Sequence, residues 1–280
     1  MASSLVLVVA TVLLSLAPLS AGSSRKLMEL YIPAASEQLT YHQGSVLSGD
    51  IPVSILWYGK FTPSQKSIIS DFLTSLTGAP TAPVPSQVSD EACSLGKSLT
   101  LTQIEQLAAP LGKKKGGIAV VLTDENVAVE GFCRSRCGKH GPAPSGESTY
   151  IWVGNAATQC PGHCAWPFAQ PLHGPQEAPL VAPNGDVGAD GMVMVLAAMA
   201  AGTVTNPFGD AYYQGAKDAP LEAATACPGV YGSGSYPGFP GNLLVDQTTG
   251  ASYNANGANG RKYLLPALYD PATSSCSTLV

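Results

Sequence analysis

Two pairs of cysteines are the residues whose type and spacing most clearly permit chemistry. Cys133 and Cys137 form the first pair, and Cys160 and Cys164 form the second with the same spacing. With His140 and His163 nearby, the four thiols could ligate zinc. In an oxidising compartment they would instead form disulfide bridges. Zinc ribbons usually space their cysteines more tightly, so the sequence favours two bridges among these four residues.

The remaining cysteines are Cys93, Cys227 and Cys276, which bring the total to seven. An odd number leaves at least one thiol outside any intramolecular bridge. We therefore predict that one of these three thiols is left over.

Carboxylates offer a second kind of chemistry. Asp124 and Glu125 follow a predicted buried strand, and with Glu130 and Asp186 they could supply the acid and base of a glycoside hydrolase. Carboxylates at strand ends are more often simply solvated. The chain contains no Gly-x-Ser-x-Gly, no phosphate-binding loop, no dinucleotide fingerprint and no His-Glu-x-x-His. A hydrolase acting on glycans or proteins through these carboxylates is the alternative interpretation.

Aromatic residues in Gly- and Pro-rich segments are the candidate binding residues. Exposed rings there could stack on sugar faces or anchor a protein partner, and the alternative is that they fill a loop-rich core. The residues are Trp166, Phe168, Tyr212, Tyr213, Tyr231 and Tyr236. We predict binding through these loops, with no catalytic residue, no metal and no cofactor.

Composition narrows the class of protein. Charged residues make up 12% of the 280 positions, and the formal net charge is -5. A nucleic-acid-binding surface requires a basic patch, and a coiled coil requires many charged positions, so both classes are excluded.

The first 22 residues have the order of a secretory signal peptide. Leu5 to Leu14 is almost wholly apolar, and small residues follow up to Ala21 and Gly22. We expect cleavage there, a mature protein that begins near Ser23, and one domain over residues 23–280 with no membrane span.

Hydrophobic patterns predict a mixed α/β domain. Strands are expected at Ile51–Tyr58, Gly117–Thr123 and Thr149–Gly154, and helices at Pro63–Leu76 and Thr102–Ala109. Thr62 and Gln65 should form a capping box at the start of the first helix.

The later part of the chain should be rich in loops around one buried helix. Met192–Ala201 is apolar on every side, which predicts a helix capped by Asp190 and ended by Asn206-Pro207. Thr249-Gly250 predicts a hairpin turn between Leu243–Val245 and Ala251–Tyr253. The predicted fold is a single mixed-sheet α/β domain with a loop-rich, disulfide-stabilised C-terminal half.

Several long strings resemble the plant EXORDIUM family, also called phosphate-induced protein 1-like, from about Tyr41 to the last residue. The strings are Ile55–Gln65, Ala92–Gly96, Gly131–Gly138, Cys160–Phe168 and Gly260–Pro266. The resemblance implies a secreted protein of the apoplast or cell wall that is linked to brassinosteroid-responsive growth and cell expansion. Its expected partner is a cell-wall polymer or a cell-surface protein.

The resemblance also bears on mechanism. Many members of that family carry His-Glu-Leu-x-Glu before Thr-Asn-Pro, a layout that resembles a zinc metallopeptidase and implies a zincin-like fold. In this chain Ala198, Met199 and Gly202 stand at the His, Glu and Glu positions. In a later acidic string Glu222 and Cys227 are kept, and Thr225 stands where the family has Asp. We therefore expect a degenerate metallopeptidase-like fold that acts by non-catalytic binding.

Overall fold

A five-stranded sheet forms the centre of the protein. The computed structural model describes residues 38–77, 85–112, 115–174, 178–217 and 219–280. The predicted signal peptide, residues 1–22, lies outside these ranges. The strands are β1 Thr40–Tyr41, β2 Val53–Tyr58, β3 Ser86–Asp90, β4 Ser98–Leu99, β5 Ile118–Thr123, β6 Ala128–Val129, β7 Gly138–Pro142, β8 Thr149–Gly154, β9 Tyr212–Tyr213, β10 Leu244–Val245, β11 Ser252–Tyr253, β12 Ala255–Asn256, β13 Lys262–Tyr263, β14 Leu268–Asp270 and β15 Ser275–Ser277. The helices are α1 Pro63–Ser75, α2 Leu101–Ala108, α3 Pro161–Cys164 and α4 Val187–Thr205.

The sheet is parallel except at one edge. Its order is β3-β2-β5-β8-β7, and only β7 runs antiparallel to its neighbour. Ile55 of β2 pairs with Val120 of β5, and Val120 pairs with Ile151 of β8. All six residues of β5 and of β8 are buried. For β5 the continuous apolar run predicted this burial.

Helices cover both faces of this sheet. Alternate residues of β2 point to opposite sides, so that Ile55 and Trp57 join the core under α1 and α4, whereas Leu56 and Tyr58 join the core under α2. The prediction of a mixed-sheet α/β domain is therefore confirmed, with its core divided between the two faces.

Helices α1 and α2 begin and end within one residue of the predicted positions. Thr62 Oγ1 accepts a hydrogen bond from Gln65 N at 3.2 Å, and Gln65 Oε1 accepts one from Thr62 N at 3.0 Å, which completes the predicted capping box. Thr100 and Gln103 form a second capping box at α2.

Helix α4 is longer than the sequence predicted. It begins at Val187, and its cap is Asp186 rather than Asp190, because Asp186 Oδ1 accepts from Ala189 N at 2.9 Å. With 19 residues it is long and apolar enough to cross a membrane, by length and composition only, and more than half of it is buried inside the fold. The buried residues pack on the sheet and on the loops that follow.

Three disulfide bridges are present among the described residues. Cys133 bonds to Cys160 and Cys137 bonds to Cys164, so the prediction that these four residues pair with one another is confirmed. Since all four sulfurs are bonded, no thiolate among them remains for zinc. The third bridge joins Cys227 to Cys276, and Cys93 is the thiol left over. Burial raises the pKa of the Cys93 thiol, which keeps it protonated and unreactive.

The C-terminal part of the chain consists of short hairpins. The predicted pairing of Leu244–Val245 with Ser252–Tyr253 is confirmed, and β12 with β13 and β14 with β15 form two more antiparallel pairs. The side chain of Asn254 links the segments at Tyr231 and Leu265. Its Nδ2 donates to the carbonyls of both residues, and its Oδ1 accepts from Leu265 N.

Candidate functional site

A cleft lies between the loop that follows α3 and the loop that follows Cys227. Its volume is about 470 Å³, which is in the range of ligand sites. It is lined by Trp166, Pro171, His173, Pro228, Gly229, Val230, Ser235, Tyr236, Pro237 and Gly238. Among the described residues that line it, none is Asp, Glu, Lys or Arg.

Disulfide-linked segments hold Trp166 in the first wall. Trp166 follows α3 by two residues, and the bridges at Cys160 and Cys164 attach that helix to the loop before β7. A Cβ on Gly191 of α4 would lie 2.6 Å from Ala165 Cβ, so glycine there allows this segment to lie directly on α4. The Trp166 ring is half-buried.

The back of the Trp166 ring packs on the second wall. The Tyr231 ring centroid is 6.0 Å away, and its hydroxyl donates to the Trp166 carbonyl at 3.4 Å. Burial raises the pKa of Tyr231, so this phenol stays protonated and remains a donor. Gly229, at φ +73°, lies against the benzene edge of the indole. Tyr231 and Gly229 of the second wall thus both contact Trp166.

A tight turn places Tyr236 on the other side of the cleft. Tyr236 N donates to Phe239 O at 3.1 Å, and Phe239 N donates back to Tyr236 O at 2.8 Å, with Pro237 and Gly238 at the tip. The Tyr236 side chain is 60% exposed. An exposed ring on a rigid turn loses little conformational entropy on binding, which favours a role in recognition.

The structure brings together only part of the predicted binding set. Trp166 and Tyr236 line the cleft, and Tyr231 supports it from behind. Phe168 is 4% exposed and packs with Met194 and Leu264, so the expectation of an exposed ring is wrong for this residue. His173, a polar group that the binding prediction omitted, is exposed in the cleft.

Tyr212 and Tyr213 lie outside the set of residues that lines the cleft. They form β9, which pairs with β1, and the Tyr212 ring stacks on Tyr41 at 4.7 Å between centroids. The Tyr213 ring stacks on His42 at 3.8 Å. Their role in binding stays a prediction.

The carboxylates of the hydrolase alternative make structural hydrogen bonds. Asp124 is 4% exposed, and its two oxygens accept from Lys60 N at 2.6 Å and Asn126 N at 2.8 Å. Asp186 caps α4 with one oxygen and accepts from Gln65 Nε2 with the other. Both carboxylates hold loops and helix ends in place, and Glu125, which follows Asp124 in the chain, is half-buried.

A buried polar pair lies at the end of α4, where the sequence predicted only apolar packing. His140 Nε2 lies 2.5 Å from Glu222 Oε2, and Asn206 Nδ2 donates to Glu222 Oε1 at 2.6 Å. A Cβ on Gly202 would lie 2.6 Å from Glu222 Oε2 and 2.7 Å from His140 Nε2. Gly202 therefore lies directly against this pair. A catalytic zinc is usually held by three protein side chains, and His140 and Glu222 supply two.

Glu222 joins three elements that are distant in the chain. His140 belongs to the edge strand β7, and Asn206 ends α4 and accepts from Ala211 N at 2.8 Å. Thr225 Oγ1 accepts from Glu222 N at 2.7 Å, so the residue at the family's Asp position serves as a local hydrogen-bond acceptor. The sequence showed no partner for His140, because its partner lies 82 residues away.

We expect Glu222→Ala to lower the free energy of unfolding by about 2 kcal/mol, because the side chains of His140 and Asn206 would lose their buried acceptor. Urea denaturation measures this change. Glu222→Gln keeps one acceptor oxygen and should lose less. Equal losses in the two variants would show that the acceptor oxygen kept by glutamine does not stabilise the folded state. That result would contradict this explanation.

The fold defines a disulfide-stabilised α/β protein with a cleft lined partly by aromatic rings. Comparison with known proteins gives its family. The family described as "Phosphate-induced protein 1 conserved region" matches residues 39–87 and 81–279. The chain belongs to this family, and family membership supports a role in plant growth.

Three relatives show how closely the chain follows the family. Protein PHOSPHATE-INDUCED 1 of Nicotiana tabacum is 55% identical over 92% of this chain and 93% of its own length. Protein EXORDIUM of Arabidopsis thaliana is 55% identical over 89% of this chain and 91% of its own length. Protein EXORDIUM-like 3 of the same plant is 37% identical over 86% of this chain. No solved structure matches the chain.

Proposed function

We propose that this protein is secreted to the apoplast or cell wall and promotes brassinosteroid-linked growth and cell expansion by non-catalytic binding. Its partner is a cell-wall polymer or a cell-surface protein. Membership of the EXORDIUM family supports the growth-related role. Three disulfides support an extracellular location, since such bridges persist mainly in oxidising compartments.

The observation that carries the binding function is the cleft between Trp166 and Tyr236. It combines a half-buried ring in contact with Tyr231, a second ring that is mostly exposed, and walls fixed by disulfides on both sides. Recognition sites for small or extended ligands commonly have this composition of rigid aromatic groups with few polar atoms.

A non-catalytic role is also supported by the contacts of the acidic residues. The oxygens of Asp124 and Asp186 are occupied by the hydrogen bonds that shape their loops. Glu222 is occupied by His140 and Asn206. We also propose that the fold is zincin-like and lacks the metal motif. In this proposal α4 corresponds to the helix that carries that motif in the family that the sequence resembles. Gly202 of α4 packs against His140 and Glu222.

We expect Trp166→Ala to weaken binding to the partner at least tenfold, because a central aromatic ring often carries most of the energy of a binding site. The full chain is expressed in plant tissue and recovered from apoplastic wash fluid. Its binding to isolated cell-wall fractions and to the surface of protoplasts is then measured, alongside the melting temperature.

Tyr253→Ala provides the matched control, because it removes a half-buried ring that neither lines the cleft nor belongs to the predicted binding residues. Binding that survives in Trp166→Ala, or that is lost equally in both variants, would contradict the proposal. Recovery of the protein only from inside the cells would contradict its extracellular part.

A further inference from the structure

The two disulfide bridges at α3 lie against each other. Cys160 Sγ and Cys164 Sγ belong to different bridges and are 3.6 Å apart. A ring nitrogen of His163, Cys137 Sγ and Cys164 Sγ all lie within 4.8 Å of one another. Thiolate sulfur and imidazole nitrogen are ligands that zinc prefers, and the ligand atoms around a tetrahedral zinc ion are about 3.6 to 3.8 Å apart. Small side-chain movements would therefore bring these atoms to zinc-binding distances once the sulfurs are no longer bonded to each other.

One turn of α3 supplies three of the donor atoms. Cys160, His163 and Cys164 have the spacing i, i+3 and i+4, and the N–H groups of His163 and Cys164 both donate to Cys160 O at 3.0 Å. Side chains at this spacing share one face of a helix. Cys137, in the loop before β7, lies next to the same face, because its sulfur is bonded to Cys164. These four residues are the number that a structural zinc site requires.

Backbone and side-chain hydrogen bonds place these residues independently of the bridges. Cys137 O accepts from Gly154 N at 3.3 Å, which attaches this loop to β8. Before α3, Gln159 Nε2 donates to Val127 O at 3.1 Å, and α3 itself contacts α4. Opening the bridges therefore frees the sulfurs while these contacts keep the donor residues close together.

Burial provides a route for an ion. Cys164 is buried, Cys137 is half-buried and His163 is exposed, so the donor atoms extend from the core to the solvent. An ion can enter at the imidazole, and the packing of Cys164 in the core limits the movement of the inner sulfur. Cys133 Sγ, which is bonded to Cys160, is not in the group of donor atoms within 4.8 Å of one another.

We propose that Cys137, Cys160, His163 and Cys164 hold a zinc ion when a dithiol has opened the two bridges. In the opening step two dithiol molecules are each oxidised to a disulfide, and the four protein sulfurs become thiols. Three of these thiols then bind Zn²⁺ as thiolates beside the neutral imidazole, and three protons are released. The oxidised protein holds no zinc at this place, because its four sulfurs are bonded. The site does not include the cleft, so its test is independent of the proposed function.

Zinc binding by the reduced protein tests this site. The full secreted protein is reduced in the absence of oxygen with a phosphine, which competes for zinc less strongly than a dithiol does, and is then freed of metal. Elemental analysis counts the zinc that stays bound after titration and gel filtration. We expect one zinc ion per reduced chain that the oxidised chain does not bind. The melting temperature of the reduced protein should rise by roughly 10 °C at zinc concentrations about a thousandfold above the dissociation constant.

Single substitutions test the assigned ligands. His163→Ala and Cys164→Ala should each lower the zinc affinity of the reduced protein about a hundredfold, because each removes one of four ligands. Cys133→Ala is the matched control: it removes a thiol of the same two bridges but no ligand, so it should bind zinc as tightly as the parent protein.

Unchanged affinity in His163→Ala, or equal losses in Cys133→Ala and Cys164→Ala, would overturn this set of ligands. A reduced protein without stoichiometric zinc would overturn the site itself. Equal zinc affinity of the reduced chain with and without urea would do the same, because the binding would then not depend on the fold.

Discussion

Replacing Cys227 and Cys276 together by alanine should lower the free energy of unfolding by about 4 kcal/mol, which corresponds to roughly 10 °C in melting temperature. The bridge spans 49 residues, and a bridge stabilises mainly by restricting the unfolded chain. No other bridge among the described residues closes this loop. Chemical denaturation under non-reducing conditions measures the loss.

The other two bridges provide the matched comparison. Cys133–Cys160 and Cys137–Cys164 each span 27 residues, and their loops overlap almost completely. Removing Cys137 and Cys164 alone leaves the second bridge closing nearly the same loop, so we expect a loss of only about 1 kcal/mol. Removing all four cysteines should cost about as much as removing Cys227 and Cys276.

The comparison is controlled for burial. Cys227 and Cys164 are both buried, and their partners Cys276 and Cys137 are both half-buried, so the alanine substitutions remove similar packing in each case. A loss for the 137–164 pair as large as for the 227–276 pair would show that local packing, rather than loop closure, sets the contribution of these bridges.

Local sequence signals predicted the central layer well. Thr149–Gly154 is a strand with the predicted bounds, and α1 begins at the predicted Pro63 because Thr62 and Gln65 satisfy the first backbone donors of the helix. These elements are determined by neighbouring residues: apolar runs that need burial and capping side chains three residues apart.

The start of α4 could not be predicted in the same way, because tertiary packing determines it. Gly188 and Gly191 have low helix propensity, which hides the first turn of the helix in the sequence. A Cβ on Gly188 would lie 2.4 Å from Asn155 Oδ1, and one on Gly191 would lie 2.6 Å from Ala165 Cβ. Glycine is therefore needed for a close approach that no local pattern reveals.

The candidate site, too, could be predicted only in part from the sequence. The sequence identified Trp166 and Tyr236 as possible binding residues, but nothing in it shows that residues 70 positions apart face one cleft. The disulfides and the hydrogen bonds of Pro240 with Tyr231 and Gly232 create that arrangement. Phe168 has the same sequence environment as Trp166, yet its ring points into the core, because a Gly- and Pro-rich context does not specify which aromatic ring is exposed.

The stability of the protein should also depend on pH through Asp190. This carboxyl is 2% exposed, and burial raises its pKa from 3.8 to about 6, with the nearby Asp186 charge acting in the same direction. Hydrogen bonds from Asn184 N at 2.9 Å and Asn184 Nδ2 at 2.7 Å oppose the shift but do not cancel it. The folded protein therefore holds a proton on Asp190 that the unfolded chain releases near pH 4.

The sign follows from proton binding. Between about pH 4 and pH 6 the folded state binds more protons than the unfolded state, so the contribution of Asp190 is complete below pH 4 and is lost as the pH rises through 6. A shift of this size corresponds to about 3 kcal/mol at most. Asp190→Asn cannot ionise, so the variant should gain about that amount relative to the parent protein between pH 4 and pH 7. Asp50→Asn removes an exposed carboxyl and should show no such gain. Urea denaturation at pH 4 and at pH 7 measures the free energy of unfolding of each variant. A difference between Asp190→Asn and the parent protein that is the same at both pH values would show that the buried carboxyl does not titrate in this range.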